Sequence, residues 1–231
     1  MADKASTRTL LHEAIPLTAS IVSGTYVAGT PSAPTNCKNY AHGMFQSVYD
    51  YPYLSSSANH IFDISAGIAP GSAINTTATT QQTKKTNIYN QMAQVLMGYD
   101  ATGSIQKFDA DGNLGTSADK MQEVYFLNFS RLLVKDEIQK GTFQLEFDIQ
   151  STHVAAGQPF NDRIRLFDLS GSTGYHVNSP AGEYGILYAY TSTANASGQE
   201  LIEGEIYNNS GSYAPCGLIY YQAGVAVISG S

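Results

Sequence analysis

The cleanest pattern in the chain lies over 142–149, where Phe143, Leu145, Phe147 and Ile149 interleave with Thr142, Gln144, Glu146 and Asp148. A period of two puts the apolar side chains on one face of a strand and leaves the other face wet. VYFLNFSRLL over 124–133 reads as a second strand, and HIFDIS, with Phe62 and Ile64 set against Ile61 and Asp63, as a third. Between 133 and 142, VKDEIQKG reads as one helical turn, with Ile138 inward and Gly141 giving a left-handed exit. One longer helix is predicted from Ile88, Met92, Val95 and Leu96, which recur at helical spacing, with Thr86 or Asn87 as N-cap and Gly98 at its end. Its apolar stripe requires a sheet to pack on.

The remaining runs, IRLFDLS, EYGILYAYTS, ELIEGEIYN and PCGLIYYQAGVAVIS, are short, apolar or alternating, and divided by Gly, Asn, Ser and Pro. Residues 66–83 carry no period and are expected to be a loop, while GYDATGSIQKFDADGNLGTSADK is full of turn signals, with a tight turn at Asp111-Gly112. Residues 1–36 read as an extended N-terminal arm, and 37–231 as a single β-rich domain. The predicted fold class is mainly β with one or two short helices (α+β), built on an antiparallel sheet or sandwich-like domain.

Against this frame the segment KNYAHGMFQSVYDYPYLSSSANHIFDIS is unusual in concentrating aromatic residues. Tyr40, Phe45, Tyr49, Tyr51 and Tyr53 gather around Pro52, and tyrosine offers large contact area with few rotatable bonds and a polar tip. Tyr49, Tyr51, Pro52, Tyr53 and Leu54 are therefore the candidate protein interface, since a Pro-stiffened backbone loses little entropy on docking. The same residues fit an aromatic core strand and its turn equally well.

Composition turns the picture towards surfaces rather than chemistry. Only 13% of the 231 residues are charged, roughly half the ~25% usual in soluble proteins. A polar but weakly charged surface suits a subunit of an assembly. A net charge of −7 with a single adjacent basic pair, Lys84-Lys85, argues against direct nucleic-acid binding. No apolar run has the length of a membrane span, and MADKASTRTLLHEAIPL lacks the continuous apolar core of a signal peptide, so synthesis in the cytoplasm is expected. Cys37 and Cys216 show no metal-ligand spacing; two unbridged thiols is the default reading, with one long-range disulfide as the alternative. Asn75, Asn128, Asn195 and Asn208 match the glycosylation pattern and are read as chance matches.

Catalytic constellations were sought one class at a time. His12, His42, His60, His153 and His176 are scattered, no nucleophile elbow occurs, and SGSTG over 170–174 lacks the Lys of a phosphate loop. Asp109, Asp111 and Asn113 alternate like calcium ligands, but Gly112 lies inside the trio and no Glu follows at the required spacing. Glu146 with Asp148, and Glu203 with Glu205, could each share a strand face, and are read as solvated pairs. No catalytic residue, metal or cofactor is expected. Sixteen tyrosines favour carbohydrate platforms, and the absence of tryptophan counts against them.

Three phrases, the aromatic segment above, NIYNQMAQVLMGYD and VYFLNFSRLLVKDEIQKGTFQLEF, resemble virion structural proteins of tailed bacteriophages, in particular those of marine phages with contractile tails. The layout around 131–147 and the closing GLIYYQAGVAVIS also resemble baseplate wedge subunits. The resemblance implies a non-enzymatic structural subunit of the tail, baseplate or neck, located in the virion, oligomeric in the particle and partnered by other virion proteins. A receptor- or carbohydrate-binding module at the tail tip, or a head-decoration protein, is the alternative. It carries no catalytic residues. On this reading, replacing Tyr51 and Tyr53 together by Ala leaves the fold intact and blocks incorporation into particles; unfolding of the isolated double mutant would instead identify the two rings as core.

Overall fold

The computed structural model describes residues 14–15, 37–49, 54, 56–75, 79–114, 120–129, 136–148, 163–169, 171, 173–190 and 213–230. These residues form one large antiparallel sheet with a helix on one face, which is the mainly β, α+β class expected. The strands are β1 (Ala14–Ile15), β2 (Cys37–Asn39), β3 (Gln46–Tyr49), β4 (His60–Ile68), β5 (Glu123–Asn128), β6 (Glu137–Ile138), β7 (Gln144–Asp148), β8 (Arg163–Phe167), β9 (His176–Ser179), β10 (Gly182–Tyr190), β11 (Tyr213–Tyr220) and β12 (Val225–Ser229), and the helix is α1 (Thr80–Leu96). The sheet runs in the order β2-β3-β4-β5-β12-β11-β10-β8-β7, with β9 added to β10; β1 and β6 make a separate parallel pair.

The middle strands are covered on both sides. Along β11 and β12, Leu218, Tyr220, Val225 and Val227 face the helix, while Ile219, Ala226 and Ile228 face away, and both sets are buried. A strand buried on both faces has no reason to alternate, so GLIYYQAGVAVIS reads as a nearly unbroken apolar run. On the face away from the helix, Phe62 of β4 and Phe143 beside β7 both meet Phe129, with ring centroids 5.2 and 5.7 Å apart. These strands stand six places apart in the sheet, or roughly 28 Å if it were flat. The sheet therefore coils strongly and closes around this second apolar cluster.

On the other face α1 packs through Tyr89, Ala93 and Leu96. The helix begins earlier than Thr86 or Asn87: Thr79 is the N-cap, accepting the Gln82 N–H at 3.3 Å while Gln82 returns to the Thr79 backbone. This reciprocal capping satisfies two donors that a helix start leaves open, and it converts the end of the expected 66–83 loop into helix. The front of that stretch is strand, since β4 runs on to Ile68. Of the expected stripe, Leu96 is buried and Ile88 and Met92 pack against the core, but Val95 is 63% exposed, and Tyr89 and Ala93 join the buried face. Gly98 follows the C-cap Met97 with φ +80°, the left-handed exit expected there.

VKDEIQKG is not a helical turn among its described residues. Glu137 and Ile138 form β6, Ile138 donates its N–H to the Tyr221 carbonyl at 3.0 Å, and Ile138 is buried as expected, with Gly141 at φ +77°. Long-range hydrogen bonds override the weak local helical preference. The segment is held down by polar contacts: Lys140 Nζ reaches Glu137 Oε1 at 2.8 Å and Glu183 Oε2 at 2.7 Å. The buried Asp168 carboxylate accepts the Gly141 N–H at 2.7 Å and the Tyr221 hydroxyl at 2.9 Å. Burial pushes the Asp168 carboxyl above its ordinary pKa, the hydrogen bonds opposing it.

The strand predicted over 124–133 is seen as β5, with 130–133 outside the described residues, and the 142–149 strand as β7, with Ile149 outside them. Of the expected arm, only Ala14 and Ile15 are described, paired with Glu137 and Ile138. ELIEGEIYN lies outside the described residues.

The helix seats directly on β4 at Gly67, where a Cβ would lie 2.7 Å from the Phe126 ring and 3.2 Å from the Tyr89 Cα. In open space Gly→Ala stabilises by about 0.4–1 kcal/mol through the unfolded chain. Here overpacking of about 1–3 kcal/mol outweighs that gain. Gly67→Ala is expected to be destabilising in urea unfolding, whereas an unchanged or raised midpoint would show that the helix lifts without cost.

Candidate functional site

The aromatic segment folds as the edge of the sheet. β2 pairs with β3 from Cys37↔Val48 to Asn39↔Gln46, and β3 pairs with β4 from Gln46↔Ile64 to Tyr49↔His60. Residues 40–45 form the turn of the first hairpin, closed by the Gly43 N–H on the Tyr40 carbonyl at 3.0 Å. Three rings stack in this turn: Tyr40 on His42 at 5.3 Å and nearly parallel, Tyr40 on Phe45 at 4.8 Å, and His42 on Phe45 at 5.0 Å. Lys38 Nζ lies 5.1 Å from the centre of the Tyr40 ring, and Lys84 from the helix donates to the His42 carbonyl at 3.1 Å. Helix and hairpin are thus joined at the turn.

The turn stands off from the sheet and leaves a cleft of about 390 Å³, lined by Tyr40, Phe45, Ile64, Ala66, Lys85 and Tyr125 among others. Its lining mixes polar residues with three large exposed apolar side chains, Tyr125 at 48%, Met44 at 43% and Phe45 at 37% exposed. Tyr125 is opposite Ala66 in the β4–β5 register and shares its face. The cleft thus offers rings, a methionine and one cation as contact surface.

Beneath the hairpin a polar chain braces β3 to β4. The Tyr40 hydroxyl is 3.2 Å from Ser47 Oγ, Ser47 donates to Asp63 Oδ1 at 2.6 Å, and His60 Nε2 lies 2.7 Å from the same oxygen. Tyr49 sets its ring edge against His60 at 5.4 Å. Serine, aspartate and histidine meet here in a different order from a catalytic triad, because the carboxylate lies between hydroxyl and imidazole and the Ser47 proton faces the carboxylate. The arrangement is a cross-brace that satisfies the buried Ser47.

Of the residues chosen from sequence, Tyr49 is partly buried at the far end of β3, and Leu54 is 81% exposed in the β3–β4 connection. Tyr51, Pro52 and Tyr53 lie outside the described residues. Among the described residues of the aromatic segment, rings gather at 40–45, and the cleft there adds Met44, Lys85 and Tyr125, which sequence reasoning passed over. Tyr125 was legible only as one more strand residue, and Lys85 only as half of a basic pair.

Other candidate chemistry resolves into structure. Asp109 is buried and takes Lys120 Nζ at 2.5 Å, while the Asp111 N–H reaches Asp109 Oδ1 at 3.3 Å and the Asn113 N–H reaches Asp111 Oδ1 at 2.8 Å. The carboxylate oxygens of the calcium-like trio thus serve the turn and an ammonium. Among the described residues no group of three or more His, Cys, Asp and Glu side chains could hold a metal ion, and no helix is long and apolar enough to cross a membrane. Cys37 and Cys216 form no disulfide. Cys37 sits on the edge strand near Gln46, whereas Cys216 points its thiol at the Leu187 carbonyl, and burial pushes its pKa up to about 12. No family model, curated protein or solved structure matches the chain.

Asp63→Ala removes the shared acceptor of Ser47 and His60. Hydrogen exchange of β2 and β3 amides is expected to rise about tenfold, with β11 and β12 unchanged; equal acceleration across the sheet would show that the brace supports the whole fold.

Proposed function

We propose that the chain is a non-enzymatic structural subunit of a tailed-phage particle, placed in the tail, baseplate or neck, and that it works through protein–protein interfaces. The observation that carries this reading is the exposed aromatic hairpin over its cleft. A turn that stacks Tyr40, His42 and Phe45 and leaves Met44 and Tyr125 at the rim presents a preformed apolar contact surface. The cross-brace below fixes its geometry, so little ordering entropy is lost when a neighbour docks. Leu54, strongly exposed at the other end of β3, offers a second point of contact. The phage setting rests on the resemblance of phrase in 38–65, 87–100 and 124–147. A tail-tip module for receptors or carbohydrates would use the same rings, and head decoration the same composition.

Quantitative mass spectrometry of gradient-purified phage particles separates these roles. A low copy number in simple ratio to the symmetry of tail or neck is expected. Capsid-like abundance would move the subunit to the head, and absence from particles would overturn the structural role.

A further inference from the structure

We propose that the cleft takes an extended, acidic segment of a neighbouring protein, which adds as a strand to the part of β4 that β3 leaves unpaired. The proposal rests on the assembly role above and names the kind of partner.

β3 follows β4 only as far as Gln46↔Ile64, where the hairpin turns away. β4 continues to Ile68, paired with β5 throughout. Among the described residues, no strand pairs with 65–68 on the side that β3 has left. Ala69 donates its N–H to the Gln122 carbonyl on the β5 side. Backbone groups of successive strand residues point alternately to the two sides, so the N–H and C=O of Ala66 point away from β5. Ala66 lines the cleft. A strand edge that opens into a cleft is a template for an added strand, the main chain giving affinity and alternate side chains finding surfaces on either hand. Phe45 and Tyr125 supply those surfaces.

Charge selects the occupant. The chain carries 12 Lys and Arg against 19 Asp and Glu, yet Lys85 lines this cleft, with Lys84 on the His42 carbonyl of the turn and Lys38 on the Tyr40 ring beside it. Lys85 meets no carboxylate among the described residues. A positive rim steers an acidic partner; a second copy of this acidic chain would be drawn to it too, and concentration-dependent self-association of the full chain that displaces the peptide would overturn the proposal. The backbone edge favours a polypeptide over an acidic glycan, because a sugar has no repeating donor and acceptor to match a strand.

The test uses the full chain and a fluorescein-labelled octapeptide alternating glutamate and valine, read by anisotropy. Saturable binding is expected, weakening as salt rises. It should be about tenfold weaker in Lys85→Glu, and also weaker in Phe45→Ala, with both variants melting at the temperature of the parent. Methylating the peptide's backbone nitrogens on one alternate set should abolish binding. Absence of binding by the glutamate peptide, equal binding by its lysine counterpart, or indifference to methylation would each overturn the proposal. So would competition by polygalacturonate with no effect of methylation, which would assign the cleft to a glycan. Particles that contain the chain while the peptide fails to bind sink the docking mode alone; peptide binding by a chain absent from particles sinks the structural role alone.

Discussion

The close approach of α1 to β4 at Gly67 is the constraint on which the rest of the molecule depends. With no side chain there, the Tyr89 backbone comes down onto the sheet and the Phe126 ring slides beneath it. Tyr89 can then reach over the sheet with its hydroxyl, donating to the Met121 carbonyl at 2.8 Å and accepting the Phe108 N–H at 3.3 Å. Burial pushes that hydroxyl's pKa up to about 12, so it stays a donor across the working range of pH. One helix therefore covers the sheet, pins the turn-rich segment that follows it, and carries Lys84 and Lys85 to the edge hairpin.

The opposite face obeys a different constraint. No helix covers it among the described residues, and the sheet covers itself by coiling until Phe62, Phe129 and Phe143 meet. Coiling draws the β6 segment in as well, where burial of Ile138 is accompanied by burial of Glu137 and Asp168. Buried carboxylates are tolerated only when hydrogen bonds and countercharges surround them. Gly141 and Tyr221 serve one oxygen of Asp168 and Lys140 one of Glu137, and the burial of the other Asp168 oxygen fits that carboxyl's raised pKa. The two clusters share the central strands β5, β12, β11 and β10, which therefore bury apolar side chains on both faces.

Much of this was legible from residues alone, and the failures have physical causes. The mainly β class followed from alternation, and one helix followed from spacing. Its start was missed because attention went to apolar spacing, although Thr79 and Gln82 stand at capping-box distance. Its face was read correctly at Ile88, Met92 and Leu96 but not at Val95, and Tyr89 and Ala93 went unseen because a count of large aliphatics does not favour them. The turn at 134–141 was misread because its partners, Tyr221 and Asp168, lie far off in sequence. The aromatic segment was correctly singled out as unusual, but which of its rings gather depended on a hairpin register that single-sequence patterning does not fix. The cleft was invisible for the same reason, being assembled from the hairpin, β4, β5 and α1.

The placement of the two cysteines has a practical consequence. Cys37 lies on the outermost strand beside the aromatic turn, while Cys216 is tucked against the Leu187 carbonyl with its thiolate strongly disfavoured. Alkylation proceeds through the thiolate, and burial raises the pKa of both thiols, that of Cys216 up to about 12, so a maleimide dye is expected to favour Cys37. Cys37 is thus the better of the two native attachment points for a fluorophore or spin label, a few residues from the aromatic turn.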